Sequence, residues 1–569
     1  MEYKKLAEFY EEVSGTTKRL EKIEILSKFL KNINESDKDI LYLLLGDIYP
    51  EYDERRIGIS NQLAIKAISK ATGTEEKQVV IGWKSIGDLG KVAEKLKKQK
   101  RQSTLHSQIL TTEKVLANLR KLPELVGKGT VSKKLALITE LLTSASPLEA
   151  LYLIRTLIGD LRIGVKESTI KGAMVSAFFP EKEKKEVSKK IQDAIDKSND
   201  IALVFEIAKK GKLKNLEKVL LEVGKPIKAM LAQKAKTIAD GFKALGKPCV
   251  IEYKYDGFRL IIHKKDDKII LFTRSLENVT KQFPEVVDYI KKHVKGKSFI
   301  LDSEAVGYDK KTKEYKPFQD ISQRIRRKYD IEKLQNELPI EINVFDIIYY
   351  NGKSLLHESF EKRTALIRKI LRNQKYKIIH AKQIITGSEK KAEKFYKNAL
   401  KDNQEGIMMK NLKATYNPGS RVGHMLKVKP EERDLDLVIV GAEYGTGKRS
   451  GWMSSFILAC KDGKEFLEIG KMGTGIKEKQ EQGTTFEELT KKLTPLIIKE
   501  KGKTVQVKPK IIVSITYQEI QKSPNYNSGF ALRFPRFTAL RPDKPLSEIT
   551  SLEEIKKDFE KQKRNYRFG

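Results

Sequence analysis

Cysteine is nearly absent from this sequence: Cys249 and Cys460 are the only two in 569 residues, and there are six histidines. That scarcity excludes a disulfide framework and a zinc site built from four cysteines. No apolar run approaches the roughly 20 residues that a membrane-spanning helix needs. The opening "MEYKKLAEFYEEV" is charged and helical in pattern rather than a signal peptide. A soluble, cytoplasmic protein is expected, with no membrane partner. Acidic charge is in deficit as well: 112 Lys and Arg against 76 Asp and Glu leave a net +36. Such an excess favours a polyanionic partner, nucleic acid before membrane, because binding releases condensed counterions. A lysine-rich proteome with no special partner is the plain alternative. Abundant Lys, Glu and Ile suit a thermophile, and low-GC codon usage would leave the same mark.

What remains is a globular composition, 39% hydrophobic and 33% charged, in a chain long enough for two to four domains. Residues 1–222 carry helical periodicity. Leu20, Ile23, Leu26, Phe29/Leu30 and Ile33 recur at three- and four-residue steps, the stripe of an amphipathic helix. The composition shifts at "EVGKPIKAMLAQ", where Gly-Lys-Pro marks a linker. From 223 to 430 short strand runs alternate with helical segments, among them "CVIEYKY", "FRLIIHK", "SFILDSEAVGY", "EINVFDIIYY" and "GIMMKN". Mixing without strict βαβ order predicts an α+β domain with antiparallel sheets. From 431 to 569 the runs are mostly β, separated by Gly-rich turns, a pattern that suits a small C-terminal β-barrel of the OB-fold kind.

The densest chemistry lies in "IEYKYDGFR", Ile251 to Arg259. A free lysine is almost wholly protonated at neutral pH. A nucleophilic one needs desolvation or neighbouring cations. Lys254 has Arg259 nearby, across an Asp256-Gly257 turn where glycine supplies φ freedom and lets a ligand approach the backbone. Glu252 and Lys254 share a strand face, as do Asp302 and Glu304 in "LDSEA" and Lys427 and Lys429 in "LKVKP". On one cleft these would supply a lysine, carboxylates able to hold Mg²⁺ and cations for phosphate. That inventory fits attack on a nucleotide α-phosphate.

Lys254-Tyr255-Asp256-Gly257 resembles the KxDG motif of the covalent nucleotidyltransferases, and further motifs follow in order. "FTRSLEN" (Arg274), "LDSEA" (Glu304), "VFDIIY" (Phe345), "EGIMMK" (Glu405), "LKVKP" (Lys427, Lys429) and "ALRFPRFTALRPDK" (Arg533, Arg536, Asp543, Lys544) complete the set. "GKGTVSKKLALITELL" and "LRIGVKESTI" are similar to the DNA-binding domain of archaeal and eukaryotic replicative DNA ligases. Two cysteines cannot build the zinc site of the NAD-dependent enzymes, and the short leader favours the archaeal type. The chain therefore resembles an archaeal-type ATP-dependent DNA ligase.

The resemblance implies an all-α DNA-binding domain, an adenylation domain and an OB-fold. It implies ATP as AMP donor, Mg²⁺ (with Mn²⁺ as a substitute) and nicked duplex DNA as substrate, handled by a monomer. Lys254 is then the nucleophile. Glu252, Arg259, Arg274, Glu304, Phe345, Arg421, Lys427 and Lys429 contact the nucleotide, and Glu304 and Glu405 hold metal. Gly127, Lys128, Gly129, Thr130, Arg162, Gly164, Arg533 and Arg536 meet DNA. "RQSTLHSQ" falls where some archaeal ligases meet the sliding clamp, but it lacks the aromatic pair expected there.

Overall fold

The computed structural model describes residues 1–99, 109–180, 182–326, 329–430, 433–478 and 483–568. "RQSTLHSQ" lies outside the described residues. The chain forms two compact units. One comprises Met1–Ser14, Ile57–Ile163 and Glu431–Asn565, and the other Gly15–Arg56, Gly164–Pro430 and Tyr566–Gly569.

The N-terminal region is helical, and its helices begin and end where residue chemistry dictates. Ser146 caps Pro147–Leu157 in a capping box with Glu149. Gly73 and Gly87 close the helices Asn61–Thr72 and Glu76–Ile86 in left-handed conformation. The predicted stripe lies on Arg19–Asn32, where Leu26 and Leu30 are buried while Leu20, in the first turn, is 79% exposed.

The central region contains two sheets. The first has strand order β1-β12-β11-β2-β10, formed by β1 (Leu231–Lys234), β2 (Cys249–Lys254), β10 (Gln383–Thr386), β11 (Gly406–Lys410) and β12 (Arg421–Val428). All its pairs are antiparallel except β1–β12. The second has order β4-β3-β5-β7-β8, formed by β3 (Phe258–Lys265), β4 (Lys268–Thr273), β5 (Ser298–Tyr308), β7 (Ile340–Tyr350) and β8 (Lys353–Ser354). Two further short strands join it, β6 (Tyr315–Lys316) on β5 and β9 (Ile378–His380) on β7.

Period-two burial builds this architecture. Ile251, Tyr253, Ile407, Met409, Leu426 and Val428 cover one face of the first sheet and pack with Ile238 and Phe242 of helix Ile238–Leu245 and Ala392 and Ala399 of helix Glu389–Lys401. Phe258, Leu260, Ile262, Leu301 and Ala305 do the same for the second sheet, against helices Pro284–His293 and Phe360–Ile370. Between the sheets lies a third cluster in which Ile261, Ile300 and Ile348 meet Met425, Tyr416 and three residues of the expected linker, Ile227, Ala229 and Met230. The linker segment is therefore core rather than tether, and Gly224 N–H donates to buried His263 Nδ1 at 3.0 Å. Each fully buried aliphatic side chain here contributes about 1.5–3 kcal/mol.

The C-terminal region is sheet-rich. Its main sheet runs β15-β14-β13-β17-β16, with β18 joined to β13 and β21 to β18. These strands are β13 (Arg433–Tyr444), β14 (Met453–Asp462), β15 (Glu465–Met472), β16 (Ile497–Lys501), β17 (Thr504–Val507), β18 (Ile512–Tyr517) and β21 (Arg536–Leu540). A two-stranded ribbon, β19 (Glu519–Lys522) and β20 (Phe530–Arg533), completes it. Among the described residues, no helix is long and apolar enough to cross a membrane.

Candidate active site

"IEYKYDGFR" is not a hairpin. Its first strand, β2, pairs with β10 and β11, whereas β3 pairs with β4 and β5, so the turn carries the chain from one sheet to the other. Gly257 serves this crossing by closeness rather than by a left-handed φ. A Cβ there would lie 2.2 Å from the Ala305 carbonyl oxygen. Tyr253 and Tyr255 join the outer cluster, and Tyr253 donates to Asp402 at 3.0 Å.

On the first sheet the register sets Glu252 beside Met408, and Met408 beside Lys427, with Lys254 beside Gly406. Directly paired residues share a face, so Glu252, Lys254, Lys410 and Lys427 leave the sheet on the side opposite the helices. Lys429 follows the end of β12. Glu405 is fixed beside the lysine by its own N–H, which donates to the Lys254 carbonyl at 2.9 Å. Gly406 follows because a Cβ there would meet Val428 O at 2.3 Å. The Glu405 carboxylate forms an ion pair with Lys254 Nζ at 2.8 Å and with Lys429 as well. Burial alone would raise its pKa, but Lys254 and Lys429 overturn that and pull it down to about 2. Burial lowers the Lys427 pKa, and Lys429, Lys254 and Arg421 lower it further.

At the other end of this face Glu252 is 2% exposed and bonded to Lys410 at 2.6 Å. Burial raises its pKa against the pull of Lys410. Its Oε1 has no hydrogen-bond partner among the described residues, and an orphaned buried acceptor of this kind calls for a ligand donor.

The second sheet contributes Arg259, Glu304 and Phe345. Arg259 pairs with Glu304 across β3–β5. Phe345 is the extra residue of a β-bulge, since Asp302 faces Asp346 while Ser303 faces Val344. A bulge re-aims a side chain. The Phe345 ring lies 4.9 Å from Lys410 Nζ and 5.2 Å from the Arg259 guanidinium. Half-buried Glu304 has its pKa pushed up to about 8 by burial, which outweighs Lys254 and Arg259.

Asp302 does not join Glu304 as an available carboxylate. It is fully buried, takes a forked bond from Arg259 and accepts Tyr416 Oη at 2.7 Å. Arg259 also donates to Met230 O at 2.9 Å. Arg421 is exposed and donates to Ala232 O at 2.9 Å, and Arg274 is exposed just past β4. Sequence reasoning passed over Lys410, Tyr416 and Asn343, whose Oδ1 has no partner among the described residues although it sits across from Glu304. Lys410 could have been found from its two-residue step beyond Met408. Tyr416 carries no local signal.

The DNA-contact candidates differ in availability. Gly127 and Gly129 are both left-handed, with open space where a Cβ would stand, and Gly129 caps helix Thr130–Ser144 without a side-chain bond. Lys128 lies between them, exposed, and Thr130 Oγ1 donates to Gly127 O at 2.5 Å. Arg162, left-handed at φ 61°, bonds Asp160 at 2.7 Å and Asp88 at 3.0 Å. Gly164 is left-handed beside Lys22. Arg533 pairs with Glu519 at 3.1 Å, and Arg536 is exposed.

A helical region, a two-sheet domain with a lysine-centred cleft and a sheet-rich C-terminal region define a multidomain protein carrying an antiparallel-sheet adenylation domain. Family models match accordingly: "DNA ligase N terminus" over residues 2–174, "ATP dependent DNA ligase domain" over 229–429 and "ATP dependent DNA ligase C terminal region" over 449–544. The chain is 44% identical to the DNA ligase of Nanoarchaeum equitans and 39% identical to that of Thermococcus onnurineus, each over 99% of both chains. A solved structure named "Pmar-Lig_Pre." matches at TM-score 0.60 and 19% identity, over 94% of this chain and 98% of that one. The chain belongs to the ATP-dependent DNA ligase family.

Proposed function

We propose that this protein seals nicks in duplex DNA in three steps, with Lys254 as the nucleophile. The Lys254 amine forms a bond to the ATP α-phosphorus as the bond to pyrophosphate breaks. The AMP then passes to the 5′-phosphate of the nick, and the adjacent 3′-hydroxyl displaces it, closing the strand and releasing AMP. Covalent catalysis of this kind divides one difficult displacement into easier ones. The observation that carries the reading is the pairing of Lys254 and Lys429 on one carboxylate, with the unpartnered Glu252 Oε1 on the same strand face.

In this reading Glu252 accepts from the adenine amino group and Phe345 stacks on the ring. Arg259 acts from within its Asp302 bond as a fixed charge beneath Phe345, and Arg274 and Arg421 reach ribose and phosphate. Lys427 and Lys429 neutralise the α-phosphate as it transfers. Among the described residues no three Asp, Glu, His or Cys side chains form a metal cluster. Glu304 and Glu405 offer the oxygen donors that suit Mg²⁺, or Mn²⁺, an ion that takes one or two protein carboxylates and completes its shell with water and substrate phosphate. Bound there, the ion would offset phosphate charge.

Residues 1–222 would form the DNA-binding domain, 223–430 the adenylation domain and 431–569 an OB-fold barrel, in a monomer. Gly127, Lys128, Gly129, Thr130, Arg162 and Gly164 would meet the DNA backbone, the open N-terminus of helix Thr130–Ser144 being suited to phosphate. Arg533 and Arg536 would contact pyrophosphate or DNA.

Incubation with α-labelled ATP and Mg²⁺, followed by denaturation, should leave label on the protein. The labelled protein should seal nicked DNA in preference to nicked RNA. No label, or sealing of RNA alone, would overturn the assignment. Because the contacts are to phosphate, DNA affinity should fall roughly a thousandfold between about 50 and 200 mM salt. A flat salt titration would exclude a backbone-tracking interface.

A further inference from the structure

One polar side chain at the base end of the cleft has no part in the reading above. Gln383 lies on β10 in register with Glu252 on β2, so the two side chains leave the sheet on one face with Cβ atoms about 5 Å apart. Its amide nitrogen is held from behind, 2.9 Å from Thr364 Oγ1 and 2.7 Å from His380 Nε2. Burial keeps His380 neutral, lowering its pKa to about 4 with help from Arg368 and Lys410. A neutral ring offers Nε2 as an acceptor when its proton is on Nδ1, and that arrangement orients the amide with its NH₂ toward the histidine. The carbonyl oxygen, Gln383 Oε1, is then left buried with no hydrogen-bond partner among the described residues. Glu252 Oε1 is in the same condition one strand away.

Two unpartnered acceptors at paired positions match a donor with two hydrogens on one nitrogen. An exocyclic amine has that form, and a keto oxygen in its place would confront both acceptors. Buried acceptors left unpaired are what make such a site reject an analogue lacking the donor. We infer that Gln383 accepts the second hydrogen of the adenine amino group and so sets the preference for ATP over purine nucleotides without that amine. The inference rests on the assignment of Glu252 to the base. His380 and Thr364 are positioning residues, holding the amide in place.

The test is self-adenylation with ATP and with purine riboside 5′-triphosphate, which lacks the amine. Wild type should prefer ATP. Gln383→Leu keeps bulk and removes the acceptor, and should narrow that preference about tenfold, through KM for ATP with kcat little changed. Gln383→Glu, which retains an acceptor, should restore it. Gln383→Ala reports the same ratio if leucine disturbs the packing. An equal fall for both nucleotides would show a merely structural role and overturn the inference, as would an unchanged ratio. Either result leaves the lysine chemistry standing. Wild type that takes both nucleotides equally removes Glu252 from the base as well, and wild type that takes no label removes the whole reading.

Discussion

Lys254→Arg should abolish capture of AMP and the sealing of ordinary nicks, yet preserve the sealing of a nick whose 5′-phosphate already carries AMP. Arginine keeps the cation that Glu405 binds at 2.8 Å, so the charge balance of the cleft survives. What it cannot do is release a proton to expose a lone pair, because a guanidinium stays charged at any working pH. The first step should therefore drop to background. Closure of a pre-adenylated nick needs the 3′-hydroxyl as attacker and the surrounding cations to steady the leaving AMP, and Lys427 and Lys429 are intact for that. Lys254→Ala should show the same division with weaker closure, since it leaves the Glu405 carboxylate with Lys429 alone. The measurements are retention of α-label on denatured protein and gel-resolved joining of both substrates. Label on the arginine variant would remove Lys254 from the reaction.

The order of elements and the shared strand faces were legible in the sequence because both follow short periods. Glu252 and Lys254 do share a face, as their spacing predicts, and the tyrosines between and beside them turn to the helices. Partner identity was not legible. Nothing in "IEYKYDGFR" says that its two strands join different sheets, so a crossing looks like a hairpin and Gly257 looks like a turn glycine. Asp302 and Glu304 have the same local pattern, and only Tyr416 and Arg259, from other strands and loops, commit the first to structure and leave the second available. Phe345 reads as core until β5 is laid beside β7 and the bulge appears. Linker composition hid three apolar residues that fill the space between the sheets. Arg162, in a stretch that resembles a DNA-binding motif, is held by Asp88 and Asp160, which no window around it contains in full.

Glu304→Gln should make the ligand-free protein more stable at high pH while costing at least about a hundredfold in self-adenylation. Burial pushes the Glu304 carboxyl up to about 8, against Lys254 and Arg259 and with Glu405 and Asp302 adding to the rise. A carboxyl whose folded pKa lies above its unfolded value lowers stability as it ionises, so this group's contribution weakens as pH climbs from about 4.5 through 8. Glu405 behaves oppositely. Pulled down to about 2, it contributes fully above about 4.5 and loses that contribution as pH falls toward 2. Glutamine in place of Glu304 keeps the shape and removes the ionisation. Calorimetry should find the variant ahead of wild type by on the order of 1–2 kcal/mol at pH 9 and level with it near pH 5. The cost in catalysis follows from the same charge, because an amide cannot offset a cation beside the α-phosphate as a carboxylate does. A variant equally stable at both pH values and still labelled at the wild-type rate would show that Glu304 is an ordinary member of the sheet.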